Sequence, residues 1–211
     1  MTNIHHLTSY QLDILKEIGN IGSGNAATAL SKLLDCRVDM KVPAVRLLSF
    51  DDTMEMVGGP DEIIVSVFLR IQGEAPGSMF FVLSPYQAEL FVQQITGNSD
   101  LSFKGPPYDE IALSALHEIG NILSGSYLSA LSDFTSINMQ PSVPDLHIDM
   151  AGAILTQGLM EISRESDFAI IIDTTINDQD SDNETIEGHF FLLPDPESFE
   201  KIFTALGLDD Q

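Results

Sequence analysis

The feature that most constrains this chain is an internal repeat. Residues 12–31, LDILKEIGNIGSGNAATALS, align with residues 113–132, LSALHEIGNILSGSYLSALS, at an offset of 101. Leu, Glu, Ile, Gly, Asn, Ile, Ser, Gly, Ala, Leu and Ser recur at matched positions, which chance does not produce. Later in each half, FFVLSPYQAELFVQQITG at 80–97 aligns with FFLLPDPESFEKIFTALG at 190–207 at an offset of 110. The growth in offset places about nine extra residues in the second half, part of them in the polar stretch 177–187, which reads as a solvated loop. Asn183-Glu184-Thr185 within it fits a glycosylation sequon by coincidence only. Each half carries the pattern Asp/Ser-x3-Glu-x2-Asn-x22-Pro: Asp13, Glu17, Asn20 and Pro43, then Ser114, Glu118, Asn121 and Pro144.

Each half reads as a long amphipathic helix (about 8–35 and 107–133), three strand-like runs and a short closing helix (about 86–97 and 196–206). The strand runs are DMKVPAVRLLSF, IIVSVFLRI and GSMFFVL, then the stretch around MAGAIL, FAIIIDTTI and EGHFFLL, all rich in apolar, β-branched or aromatic residues. Pro43 removes a ladder donor and therefore predicts a sheet edge or a strand start. Short connections predict antiparallel pairing. The expected fold is α+β with pseudo-two-fold symmetry, long helices packed on a mainly antiparallel sheet, as one domain over 1–211 made of two repeats (about 8–104 and 107–208) joined at Gly105-Pro106-Pro107.

A chain of 211 residues, 44% hydrophobic, can bury a core that folds unaided. No run approaches the roughly 18–20 apolar residues of a membrane span, and the polar start MTNIHHLTSYQLD is not a secretory signal, so a cytoplasmic protein without membrane insertion is expected. The single cysteine, Cys36, is expected to be a buried thiol near Leu33, Leu34 and Val38. With 32 acidic against 9 basic residues, the net charge of −23 disfavours nucleic acid and anionic lipid as partners. A salty or alkaline milieu would suit such a surface, in which case melting temperature should rise from low to molar salt.

At 100° per residue, Leu12, Ile14, Leu15, Ile18, Ala26, Ala29, Leu30 and Leu33 form the predicted packing face of the first helix. Asp13, Glu17 and Asn20 fall opposite, continued by Gly24 and Ser31; Ser114, Glu118, Asn121, Gly125 and Ser132 repeat the stripe. A merely solvated face has no reason to hold Glu and Asn in register twice while Lys16/His117 and Asn25/Ser126 drift. Glycines at 19, 22, 24, 120 and 125 each cost about 1 kcal/mol relative to Ala in a helix interior, which implies close backbone approach by the other helix or by a partner.

A carboxylate can accept hydrogen bonds or pair with a cation, and a carboxamide can hold a water in a chosen orientation. Neither is a nucleophile with an adjacent base, so covalent catalysis is not expected. An Asn one turn from a Glu suits assistance at another protein's site, as a glutamine amide orients water in GTPases. Other motifs fail: GNIGSG at 19–24 follows no strand and lacks the Lys-Ser/Thr of a phosphate loop, and His117-Glu118 lacks the second histidine of a zinc helix. His5 and His6 are placed in a terminal segment expected to move, His147 and His189 in strands without ligand spacing, and the Phe pairs at 80–81 and 190–191 in the core.

The doubled signature, with EIGNIGSGNA and EIGNILSGSY around it and the closing FFLLPDPESFEKIFTALG, resembles the CheC family of chemotaxis phosphatases, within the CheC/CheX/FliY superfamily. Two motif copies and an end at Gln211 fit CheC better than the one-motif CheX or the longer FliY. The resemblance implies a phosphatase acting on the phosphoaspartate of the response regulator CheY, with Glu17 and Glu118 engaging the regulator's active-site lysine and Asn20 and Asn121 placing the attacking water. Asp13 and Ser114 would occupy the variable first position, and Pro43 and Pro144 would be structural. It also implies no cofactor bound by this chain, Mg²⁺ held by the CheY substrate, and CheD as a second partner. A charge of −23 predicts slow association with CheY's acidic pocket at low salt. The alternative is a noncatalytic module that holds CheY or CheD at the receptor array or flagellar switch.

Overall fold

The structure, a computed structural model, describes residues 7–103, 105–162, 168–178 and 184–208, without the side chains of 157–162 and 178. The expectations for His5, His6, Asn183 and the middle of the polar stretch, 179–183, therefore lie outside the described residues, while the ends of that stretch, 177–178 and 186–187, are strand and not loop.

The two repeated segments form 26-residue helices, α1 (Ser9–Leu34) and α4 (Glu110–Thr135). Their starts are set by side-chain caps: Thr8 and Gln11 form a capping box, and Asp109 Oδ1 accepts from the N–H groups of Ile111 and Ala112 at 2.9 and 3.0 Å. Both helices end on a left-handed residue at equivalent positions, Asp35 (φ 50°) and Ser136 (φ 54°). The continuous α1 contains GNIGSG, so no phosphate loop exists there.

The remaining elements of the first half are β1 (Val38–Lys41), β2 (Val45–Ser49), α2 (Phe50–Met56), β3 (Ile63–Gly73), β4 (Gly77–Leu83) and α3 (Pro85–Thr96). The second half follows with β5 (Met139–Pro141), β6 (Asp145–Met150), α5 (Ala151–Ile162), β7 (Phe168–Asp178), β8 (Ile186–Pro194) and α6 (Pro196–Ala205). All strand pairs are antiparallel, in the order β1-β7-β8-β4-β3-β5, with β2 continuing beside β7 and β6 beside β3. The fold is thus α+β, as the sequence predicts.

Two readings are corrected. The first strand run is not one strand: it breaks at 42–44, around Pro43, and its last residue Phe50 starts α2. MAGAIL is not a strand; the strand is DLHIDM at 145–150, and from Ala151 onward the apolar run is helical. An apolar run that short has no period to distinguish a strand from a buried helix.

The register displays the pseudo-two-fold directly. At the sheet centre Phe80 pairs with Phe191 and Phe81 with Phe190, so each residue faces the repeat-equivalent of its neighbour and the axis passes between β4 and β8. The halves also exchange their edges. The broken strand β1/β2 of the first half pairs with β7 of the second, and β5/β6 of the second pairs with β3 of the first.

One sheet face carries the larger core, covered by α1, α3, α4 and α6; the other is covered by α2 and α5. Phe80, Phe81, Phe91, Phe103, Phe190, Phe191 and Phe203 are fully buried, each stabilising the fold by about 1.5–3 kcal/mol. Leu33, predicted on the packing face, is half exposed, whereas Gln11 is buried and its Nε2 donates to Leu208 O at 3.2 Å. Cys36 is only partly buried, just past the end of α1.

Candidate functional site

The helix geometry sorts the glycines into two kinds. A Cβ on Gly22 would lie 2.9 Å from Tyr127 Cα, so this glycine permits α1 and α4 to touch, and one on Gly120 would lie 2.6 Å from the methyls of Val67 on the sheet. Gly24 and Gly125 meet nothing within 4 Å. They belong to the outward stripe and leave it smooth.

On that stripe Asp13, Glu17, Ser114, Glu118 and Asn121 are exposed, while Asn20 is half-buried. Glu and Asn stand one turn apart, about 4.5 Å along the axis. Ser31 and Ser132 do not extend the stripe functionally. Ser31 Oγ accepts from Val38 N at 2.9 Å and Ser132 Oγ donates to Ile137 O at 2.6 Å, so both staple a helix end to the following strand.

The two asparagines differ. Asn20 Oδ1 accepts the Val42 N–H at 3.0 Å and its Nδ2 donates to Lys16 O at 3.1 Å. Val42 is 2% exposed, so its N–H, in the break between β1 and β2, needs a protein acceptor. In the first half the motif asparagine thus holds the residue preceding Pro43. The Asn121 side chain makes no hydrogen bond among the described residues, and the counterpart of Val42, Val143, is 79% exposed and can be hydrated. Pro43 is exposed and Pro144 buried, each in its strand break.

His117 Nε2 lies 2.8 Å from Pro144 O, which can only accept, so this nitrogen carries the proton and is not a metal ligand. Among the described residues no group of three His, Cys, Asp or Glu side chains could hold a metal ion, and no helix is long and apolar enough to cross a membrane. His147 lies exposed on β6. His189 Nδ1 meets Asp173 Oδ1 at 2.9 Å, with Arg46 Nη2 2.7 Å from the same oxygen. Burial pushes the Asp173 carboxyl up, but the hydrogen bonds and charges of His189 and Arg46 outweigh it and hold the group below the usual carboxylate range.

Sequence reasoning missed the apolar rim of the stripe. Tyr10 and Ile111, repeat-equivalent and one turn before Asp13 and Ser114, are 67% and 69% exposed. The signal was available as two large apolar residues at the same register on the wet face. Beside the second motif, Tyr108, Leu113, Ser114, His117, Leu146 and Ile148 line an open groove of about 500 Å³.

The sequence model of the CheC-like family matches residues 11–46 and 111–148, the two motif helices with their broken edge strands. Along 98% of its length the chain is 46% identical to the Bacillus subtilis protein named CheY-P phosphatase CheC, of which it covers 99%. The chain belongs to the CheC-like family. It is also 28% identical to the Bacillus subtilis flagellar motor switch phosphatase FliY, over 69% of this chain and 37% of that protein. The crystal structure of Thermotoga maritima FliY shares the CheC-like fold, with a TM-score of 0.73 at 21% identity over 97% of this chain and 99% of that one.

Proposed function

We propose that this CheC-like protein hydrolyses the phosphoaspartate of phosphorylated CheY, using the outward Glu/Asn pairs of α1 and α4. The observation that carries this reading is the repetition of one arrangement: a Glu and an Asn a turn apart in the same register on two helices, both exposed on α4 and the Glu exposed beside a half-buried Asn on α1. The similarity to a protein named a CheY-P phosphatase, over nearly the whole of both chains, supplies the substrate.

Glu17 and Glu118 are placed to meet a cation on the regulator and dock its active site against the helix. The carboxamide of Asn20 or Asn121 then orients a water on the phosphorus. An amide takes no proton, so its contribution is alignment of the attack, a bimolecular encounter made effectively unimolecular. Water oxygen bonds to phosphorus, the P–O bond to the aspartate breaks, the carboxylate leaves, and the protons of the water stay on the released phosphate. Mg²⁺ belongs to the regulator in this scheme, not to the CheC-like chain, and CheD is the second partner.

The sites are not equivalent. Asn20 must give up its bond to Val42 before it can serve a water, whereas Asn121 is uncommitted. The second motif is therefore the more active. Phosphate release from phosphorylated CheY tests both points. The chain should accelerate release, and Glu118→Lys should reduce the rate more than Glu17→Lys. Binding of phosphorylated CheY without acceleration would instead establish the holding module.

A further inference from the structure

We infer that His117 is a positioning residue of the second motif, taking over the structural task that Asn20 performs in the first and so freeing Asn121. The inference rests on the reading of Asn121 as the water-orienting group.

In both halves the motif helix must be fastened to the break in its edge strand. In the first half the fastener is the motif asparagine, through Asn20 Oδ1 and Val42 N at 3.0 Å. In the second it is His117, whose Nε2–H donates to Pro144 O at 2.8 Å. Position 16, the equivalent of His117, is a lysine with no such bond to Pro43 among the described residues. The other flank of the second break is held by Ser142, whose N–H donates to Arg70 O at 2.8 Å and whose Oγ accepts Arg70 N at 3.0 Å. Residues 142–144 are thus pinned to β3 on one side and to α4 on the other. With this backbone fixed and Val143 79% exposed, nothing draws Asn121 inward. His117 sits one residue before Glu118 and one turn before Asn121, and half-buried it also walls the groove beside Ser114. Its ring sets the path of the strand break that flanks the motif.

The test uses the full chain with the first motif disabled by Glu17→Lys, so that turnover reports the second motif alone. In that background His117→Met keeps bulk without a donor, His117→Gln keeps a donor, and Asn121→Ala removes the proposed chemistry. Single-turnover decay of phosphorylated CheY should show His117→Met slowed between about 3-fold and 100-fold at saturating protein, the range a misplaced reacting group produces, with the half-saturating concentration unchanged. His117→Gln should recover most of the rate. Equal impairment of the Met and Gln variants would overturn the inference, because the donated bond would then not matter. So would an unchanged rate in His117→Met where Asn121→Ala abolishes decay. Full decay in Asn121→Ala would instead remove the underlying reading. If His117→Met does not fold, the Gln variant still decides: wild-type turnover supports the inference and loss of turnover in a folded Gln variant contradicts it.

Discussion

Asn20 and Val42 are joined by a 3.0 Å hydrogen bond from a nearly buried backbone N–H to a motif side chain, and the repeat-equivalent pair Asn121 and Val143 is not. One sequence motif therefore does two jobs in the first half and one in the second. Asn20→Ala should destabilise the fold by about 1–3 kcal/mol, the cost of a buried donor without an acceptor. Asn121→Ala should stay within about 0.5 kcal/mol. Denaturant midpoints of the two variants check this directly.

The glycines predict opposite outcomes for one substitution. Gly22→Ala inserts a methyl 2.9 Å from Tyr127 Cα and should cost about 1–3 kcal/mol through overpacking. Gly24→Ala meets open space and should stabilise the helix by up to about 1 kcal/mol. If the stripe admits a partner's backbone closely, Gly24→Ala will nonetheless weaken binding of phosphorylated CheY, measurable as a raised half-saturating concentration.

How much of this was legible in the sequence depends on the residue. Glu17, Glu118 and Asn121 were placed on outward helix faces by period alone, because 3.6-residue geometry fixes their direction whatever the sheet does, whereas Asn20, in the same register, is half-buried with its amide turned to Val42. MAGAIL was misread because it straddles the boundary between β6 and α5, and six apolar residues are too few to display the helical period. The Asn20–Val42 bond was invisible for another reason: it needs the strand break, and a break is a tertiary event that Pro43 only hints at. The edge exchange between halves was likewise beyond pattern reasoning, since either half's strand could have paired at home.

Tyr10 and Ile111 should act in docking. Tyr10→Ser and Ile111→Ser remove exposed apolar area one turn before each motif and touch no buried contact, so the melting temperature should hold while affinity for phosphorylated CheY falls about 3- to 30-fold, the range for loss of a modest interface anchor. Titration calorimetry with a stably phosphorylated mimic of CheY would measure it.

Alkaline stability should report Tyr127. Burial pushes its phenol up to about 12 from 10.0, eased only in part by hydrogen bonds with Thr174 and Ser23. Above pH 10 the unfolded tyrosine ionises while the folded one keeps its proton, so the unfolded state binds fewer protons and stability falls as pH rises from 10.0 towards about 12. Below pH 10 this contribution is complete. Tyr127→Phe should flatten that part of the profile in melts across the range.

In the proposed mechanism two asparagines supply the chemistry and the rest of the stripe supplies docking. The most direct measurement is phosphate release from phosphorylated CheY with the double variant Asn20→Ala/Asn121→Ala, alongside its binding to CheY. Binding should persist near the wild-type level while acceleration is lost; release at the wild-type rate from a folded double variant would show that the asparagines do not supply the chemistry.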